Sequence, residues 1–588
     1  MVKKLSKKHI KRKFNTKKNQ LSQLGQSANK HIDRHVFRRW SNLQIAKRFV
    51  IGWLSLVILL ISGLFLQITV LGKSYLQASP VAGGFYSEGV IGEFTNANPI
   101  FASNPVDSSV SKLVFSSLLS YDDNGKLVGD LASGWTTESN GLVYVVKLKP
   151  GIKWHDGKNF TADDVVYTYE TIQNPDVKSP LATGWAGVKV QKSDDLTVKF
   201  TLPSQYAPFP NLLTNGVVPQ HLLANKPINT LRGDLFNTKK LVGTGPFKFE
   251  STDDLQDDQK VIKLIANKEY FKSEPKLKGV SIITYNDQDK LLADLNNKKL
   301  TVASGVNEKD SEIKLDDVYS FPQNSATMLF LKNSSSNLSD TKVRQALVKA
   351  TKTSELTKLI GYSTIPVREP ILEGQIGYNK DYWQYSYNKT EAEQLLDQAG
   401  WLKVPGSQYR QKDGKDLTLK LVSENNDTYP NIATELQKQW AEVGVKLEPI
   451  FISAQQITQT QIPNHEYDVL LYGINIGPDP DVYAYWHSSQ AATNTARLNL
   501  SEYKSTFADL ALESGRSRQD PSLRAAKYKN FLSSWKNDAP AVGLYQPRYL
   551  MLASQPVYGV NPNRSLNNPQ DRYNNIEKWM INTARSQK

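Results

Sequence analysis

The stretch YVVKLKPGIKWHDGKNFTADDVVYTYE, residues 144–170, decides how the chain is read. It begins inside LVYVVKLK, residues 142–149, an apolar and β-branched run that suits a pleated strand. Asp156-Gly157 supplies a turn, because glycine adopts positive φ without steric cost and aspartate can bond the backbone ahead of it. Thr161 stands three residues before Asp164, the spacing of a capping box, and Val165, Val166 and Tyr169 then fall at helical intervals. His155 beside Asp156 also allows a catalytic or metal-binding loop. The local pattern favours a strand that turns into a capped helix, and the rest of the chain has to decide what the histidine does.

Working outward, 588 residues are too many for one core of ordinary size, so several domains are expected. The net charge of +15 is not spread evenly. Residues 1–48 hold 15 Lys or Arg and one acid, Asp33; subtraction from the totals of 72 and 57 leaves 57 bases and 56 acids in residues 49–588. A body so near neutrality offers no electrostatic groove for nucleic acid. Directly after the basic tail comes FVIGWLSLVILLISGLFLQITVL, residues 49–71, without a charge. At about 1.5 Å per residue it is long enough to cross a bilayer. The bases on its N-terminal side place the N-terminus in the cytoplasm and the remainder outside. Its apolar run exceeds that of a signal peptide and ASPVAGG, residues 78–84, is a poor cleavage site, so an uncleaved anchor is preferred to a removed leader. The chain has no cysteine, which rules out disulfides, thiolate chemistry and a cysteine-borne lipid.

Beyond a linker at 72–84, short strand patterns alternate with helical ones: strands at 142–149, 196–202, 261–266, 280–285 and 417–422, helices near 162–173, 340–350, 389–399 and 430–443. The fold class is therefore mixed α/β. Residues 389–450 read helix, strand, helix, strand, with Gly400 and Gly444 ending the two helices, which suggests a parallel crossover unit.

Chemistry-bearing motifs are sparse. His155, His221, His465 and His487 are isolated, without an HExxH pair, and no GxSxG nucleophile elbow occurs. VGTGPFKF, residues 242–249, lacks the Lys-Ser/Thr of a phosphate loop and reads as a turn feeding a strand. What remains is INIGPDPDVYAYWHSS, residues 474–489, where two carboxylates and three aromatics gather around two prolines after the strand YDVLLYG. Such a turn suits a ligand wall or a packed lobe edge.

Together these segments resemble the extracytoplasmic solute-binding proteins of the peptide/nickel class that serve ABC importers. The resemblance rests on LLSYDDNGKLVGDLASGW (118–135), the opening stretch, VGTGPFKF with IANKEYF, VRQALVKAT (343–351), YNKTEAEQLLDQAGW (387–401) and YDVLLYG with DPD, all in the family's order. It implies a two-lobed clamp with an inserted domain. Lobe I would comprise residues 85–118, 240–322 and 541–588, the inserted domain 119–239, and lobe II 323–540, with crossings near 322–326 and 538–542. It also implies a peptide or other small solute held between lobes, a permease as partner, a monomeric ectodomain, and neither cofactor, metal nor catalytic residue. The opening stretch then belongs to the scaffold. The ligand-binding residues expected on this basis are Asn98, Gly473, Asn475, Ile476, Asp479, Asp481, Tyr483, Trp486 and Tyr545. The chain departs from the family's peptide binders at one place. Their Trp-x-x-Asp, whose Asp pairs with the peptide amine, is replaced here by Gly473 and Ile476, so either the ligand lacks a free amine or Asp479 or Asp481 has taken the role. An anchored hydrolase and a sensor that feeds no transporter are the rival readings.

Overall fold

Strand Val143–Leu148 and helix Ala162–Gln173 flank the His-Asp-Gly turn in the computed structural model, which describes residues 47–306, 317–495 and 497–587. Asp164 caps the helix by accepting the Thr161 N–H at 3.0 Å, and it also accepts the Trp154 indole N–H at 3.2 Å and the Gln220 N–H at 2.9 Å. His155 is a stitch between two turns. Its Nδ1 accepts the Gly243 N–H at 3.2 Å and its Nε2 lies 3.0 Å from the Gly245 carbonyl, a pair of bonds that fits the neutral imidazole with the proton on Nε2. Burial pushes the ring down to about 4, so it stays uncharged near neutral pH. The glycine in that second turn is required by close approach, since a Cβ on Gly243 would lie 1.9 Å from the Val114 carbonyl oxygen.

The described residues fall into two compact units, divided along the chain at residues 79/80 and 582/583. The first contains helix Lys47–Tyr75, whose window Phe49–Gln67 has a mean hydropathy of 2.6 and is unburied; by length and composition it can cross a membrane. The helix runs past residue 71, and it and strand Leu76–Val81, paired with Asn582–Gln587, together occupy most of what the sequence suggests is a linker. A ribbon there satisfies backbone groups that a bare linker would leave to water. Apart from Lys47 and Arg48, the basic tail lies outside the described residues.

The second unit, Pro80–Asn582, holds two large sheets. The seven-stranded sheet is ordered 317–322, 548–553, 302–304, 85–91, 279–285, 260–266, 247–254, and its strand Phe85–Ile91 runs parallel to both neighbours. A four-stranded antiparallel sheet (132–138, 143–148, 197–201, 189–194) shares one apolar core with it, through Tyr86 and Ile262 on one side and Tyr144, Phe200 and Trp185 on the other. Glu88, fully buried in that core, accepts from Arg572 Nε at 3.0 Å, Tyr573 at 2.6 Å and Tyr86 at 2.9 Å, which ties the end of the chain to its first long strand.

The six-stranded sheet is ordered 365–366, 541–546, 325–331, 469–475, 418–424, 446–452. Strands Thr418–Glu424 and Lys446–Ile452 are parallel and joined through helix Tyr429–Ala441, the crossover suggested by the sequence. Period-two alternation fills a core on each face: Val469 and Leu471 point to one, Leu470 and Ile474 to the other. The chain passes between the large sheets at Gln323–Asn324 and at Pro547. The second passage lies later than residues 538–542. Ala541–Gln546 is buried along its whole length and pairs with Ser325–Leu331, so it belongs to the six-stranded sheet; Pro547, lacking an N–H, ends that ladder before Arg548–Ala553 joins the other sheet.

Candidate functional site

The two crossing segments bond to each other, and the surrounding loops close on them. Gln323 N–H donates to the Pro547 carbonyl at 2.9 Å, and Gln546 Nε2 returns a bond to the Gln323 carbonyl at 2.7 Å. The Asn324 carbonyl accepts from the Ile476 and Gly477 N–H groups, both at 2.9 Å, while its side chain reaches Asn567 Oδ1 at 2.6 Å. Asn475 Nδ2 adds a bond of 3.4 Å to the Asn567 carbonyl. Asn475 and Ile476 therefore sit at the junction of the lobes, Asn475 exposed and Ile476 packed into a lobe II core.

Two residues back along that strand, Gly473 leaves a small recess, room for a first side-chain carbon. Gly473 lies in register with Thr327, and Thr327 with Tyr545, so the three share a row across the strands. A Cβ at Gly473 would be 3.5 Å from the Tyr429 hydroxyl and 3.8 Å from Thr327 Oγ1, ordinary contact distances, so the absent side chain leaves that space open. Burial pushes the Tyr429 hydroxyl up to about 12, and the Tyr545 hydroxyl is also raised; both remain neutral donors. Tyr362 OH accepts the Arg548 N–H at 3.5 Å, which sets this hydroxyl cluster beside the crossing. Glu424, at the end of the neighbouring strand, bears on the hydroxyls of both Tyr429 and Tyr472, and its half-buried carboxylate has no ion pair among the described residues.

The two aspartates of the DPD turn are already partnered. Asp479 receives a bidentate pair from Arg524, at 2.7 and 2.6 Å, and Arg524 is itself buried on helix Pro521–Asp538. Asp481 accepts from Arg516 at 3.0 Å; burial raises its carboxyl while that guanidinium holds it down. Tyr483 stacks on His487 at 4.1 Å and lies under Arg516 at 4.2 Å. Trp486 is fully enclosed, stacked on Phe330 at 5.7 Å and edge-on to Trp535 at 5.8 Å. Asn98 is buried in the first lobe, where Oδ1 accepts the Ile100 N–H at 3.0 Å and Nδ2 reaches Asn237 at 3.0 Å. Of the nine residues expected from the sequence, Gly473, Asn475 and Tyr545 thus border the recess and crossing. Asp479, Asp481 and Tyr483 face arginines, Ile476 and Trp486 are packed into a core, and Asn98 is used within lobe I.

Residues 141–207 and 481–519 also make contact. The Arg516 carbonyl accepts the Ala207 N–H at 2.9 Å, and its guanidinium lies between Tyr206, at 5.0 Å, and Tyr483. Gln519 Nε2 donates to the Tyr144 hydroxyl at 3.0 Å. Gly141, at φ +86°, lets this glutamine approach, since a Cβ there would fall 2.3 Å from its amide nitrogen. Tyr144, Tyr206 and Ala207 come from the segment 119–239, Asp481, Arg516 and Gln519 from the segment 323–540. No sequence motif marks Glu424, Thr327, Tyr429, Arg516 or Gln519; Thr327, Arg516 and Gln519 acquire their roles from partners far away in the chain.

Comparison with known proteins agrees with this architecture. Residues 126–495 match the family described as "Bacterial extracellular solute-binding proteins, family 5 Middle". The oligopeptide-binding protein AppA of Bacillus subtilis is 29% identical over 516 residues, covering 85% of this chain and 92% of AppA. The structure of that protein with a nonapeptide superposes with a TM-score of 0.68 at 28% identity, covering 86% of this chain and 100% of the other. NikZ of Campylobacter jejuni, solved with Ni(L-His), gives a TM-score of 0.69 at 26% identity over 84% of this chain and 99% of NikZ.

Proposed function

Because the chain belongs to the bacterial extracellular solute-binding proteins of family 5, we propose that it is the membrane-tethered receptor of an ABC importer and captures oligopeptides between its lobes. The observation that carries this reading is the small recess at Gly473, in register with Thr327 and Tyr545 and beside the two-segment crossing. A ligand held there touches both lobes and so favours the arrangement in which they meet. An extended peptide suits such a site, since its main chain supplies hydrogen bonds whatever its sequence. AppA, bound to a nonapeptide, supports the choice of ligand class. Helix Lys47–Tyr75 serves as the uncleaved tether, with the basic tail in the cytoplasm and Pro80–Asn582 outside.

The ligand's amine goes to Glu424. Asp479 and Asp481 are neutralised by Arg524 and Arg516, whereas Glu424 is the carboxylate next to the hydroxyl-lined recess without such a partner. Calorimetry on the full chain in detergent, with a nonapeptide and its N-acetylated form, tests both parts. Because Glu424 is half-buried, we expect acetylation to weaken binding by roughly tenfold or more, about 1.4 kcal/mol upward, and Glu424→Gln to erase that preference. Equal affinity for the two peptides contradicts the anchor. Failure of both peptides to bind contradicts the peptide reading itself.

A further inference from the structure

The second lobe contains another concave site, built wholly from its own residues. Segments 351–354 and 383–387, with Arg368, Lys380 and Lys536, line a recess of about 690 Å³. No residue of the first lobe, the crossing or the DPD turn takes part, so this is a place apart from the cleft. The volume is that of a small-molecule pocket.

Its charge is one-sided. Lys352, Arg368, Lys380 and Lys536 line it, and no Asp or Glu does. These cations lie against aromatic rings: Arg368 at 4.3 Å and Lys380 at 5.4 Å from Trp383, Lys352 at 4.8 Å from Tyr387, and Lys536 at 5.9 Å from Tyr385. Lys536 also donates to the Asp381 carbonyl at 2.9 Å. The side chains of Arg368, Lys380 and Lys352 have no hydrogen bond or ion pair among the described residues, so their donors remain available. In residues 49–588, where bases exceed acids by one, four uncompensated cations around one cavity are a local excess. Like charges gathered in a concavity raise the local concentration of an anion. The guanidinium fork matches two oxygens of a phosphate, the ammonium groups satisfy further oxygens, and the hydroxyls of Thr353, Ser354 and Ser386 add neutral donors.

We propose that this recess binds a soluble phosphate-bearing anion of two or more charges, independently of the peptide in the cleft. The rings hold the cations apart and aimed, and the ligand supplies the missing negative charge. The test is lysine acetylation of the full chain in detergent, followed by mass spectrometry, with inorganic pyrophosphate as the probe. Pyrophosphate is expected to slow labelling of Lys352 and Lys380 about fivefold at four-fifths occupancy, while exposed Lys415, on a hairpin elsewhere, keeps its rate. Arg368→Gln should abolish the protection without altering peptide affinity. Equal slowing at Lys415, or protection that persists undiminished in Arg368→Gln, overturns the proposal.

Discussion

Glu369 shows how far one buried group departs from its ordinary chemistry. It is fully enclosed, accepts the Asn379 N–H at 3.2 Å through one oxygen, and leaves the other without a partner. Burial pushes its carboxyl up to about 8, so it is largely neutral at pH 7. Between the unfolded value of 4.5 and about 8, the folded chain holds a proton that the unfolded chain has released. Stability therefore falls as pH rises through that window and levels off above it. Glu369→Gln, neutral at every pH, should match the parent near pH 4.5 and exceed it by roughly 1–4 kcal/mol at pH 8 in denaturant unfolding. A gain that is the same at both pH values would contradict the titration. The same scale explains what the sequence hid. Asp479 and Asp481 stand out as carboxylates in a proline turn, but their partners Arg524 and Arg516 lie 45 and 35 residues away, and nothing local announces the pairing. Gly473 was legible as a departure from a family pattern; that the lost side chain leaves hydroxyl-lined space required Tyr429 and Thr327 to be brought beside it.

Elements whose cause is local were readable. The strand, turn and helix of 143–173 follow from a β-branched run, an Asp-Gly turn and a capping pair within a few residues of one another. The hairpin of helices Thr506–Ser517 and Pro521–Asp538 is illegible for the opposite reason: Leu523 is exposed and Arg524 buried, the reverse of their hydropathy. That inversion serves the contact between lobes, because Arg524 anchors the DPD turn against which Arg516 and Asp481 meet the inserted domain. Arg516→Ala removes two ring contacts and leaves the buried Asp481 unpaired. Peptide affinity should fall by roughly tenfold, about 1–2 kcal/mol, mainly through faster release. Asp481→Asn in the same chain should recover part of the loss, since the unpaired charge is then gone. An unchanged dissociation rate in Arg516→Ala would show that the contact does not hold the lobes together.

At the scale of the whole molecule, charge and hydropathy separate a basic tail, an apolar helix and a near-neutral body before any fold is known. The sheet boundaries are less legible. AVGLYQ and RYLMLA read as one apolar run across Pro547, yet they pair in different sheets, because strand partners are chosen by burial on both faces and not by adjacency in the chain. That proline, with Gln323–Asn324, forms the pair of crossings that join the two large sheets, and the proposed closure on a peptide rests on them. The chain has no cysteine, so labels can be placed at will. Asn124→Cys in the first lobe and Lys415→Cys in the second are both exposed positions for spin labels. Distances between them, measured by pulsed electron resonance on the full chain, should shift to a shorter and narrower distribution when the nonapeptide is added. A distribution unchanged at saturating peptide would contradict the claim that the lobes close on their ligand.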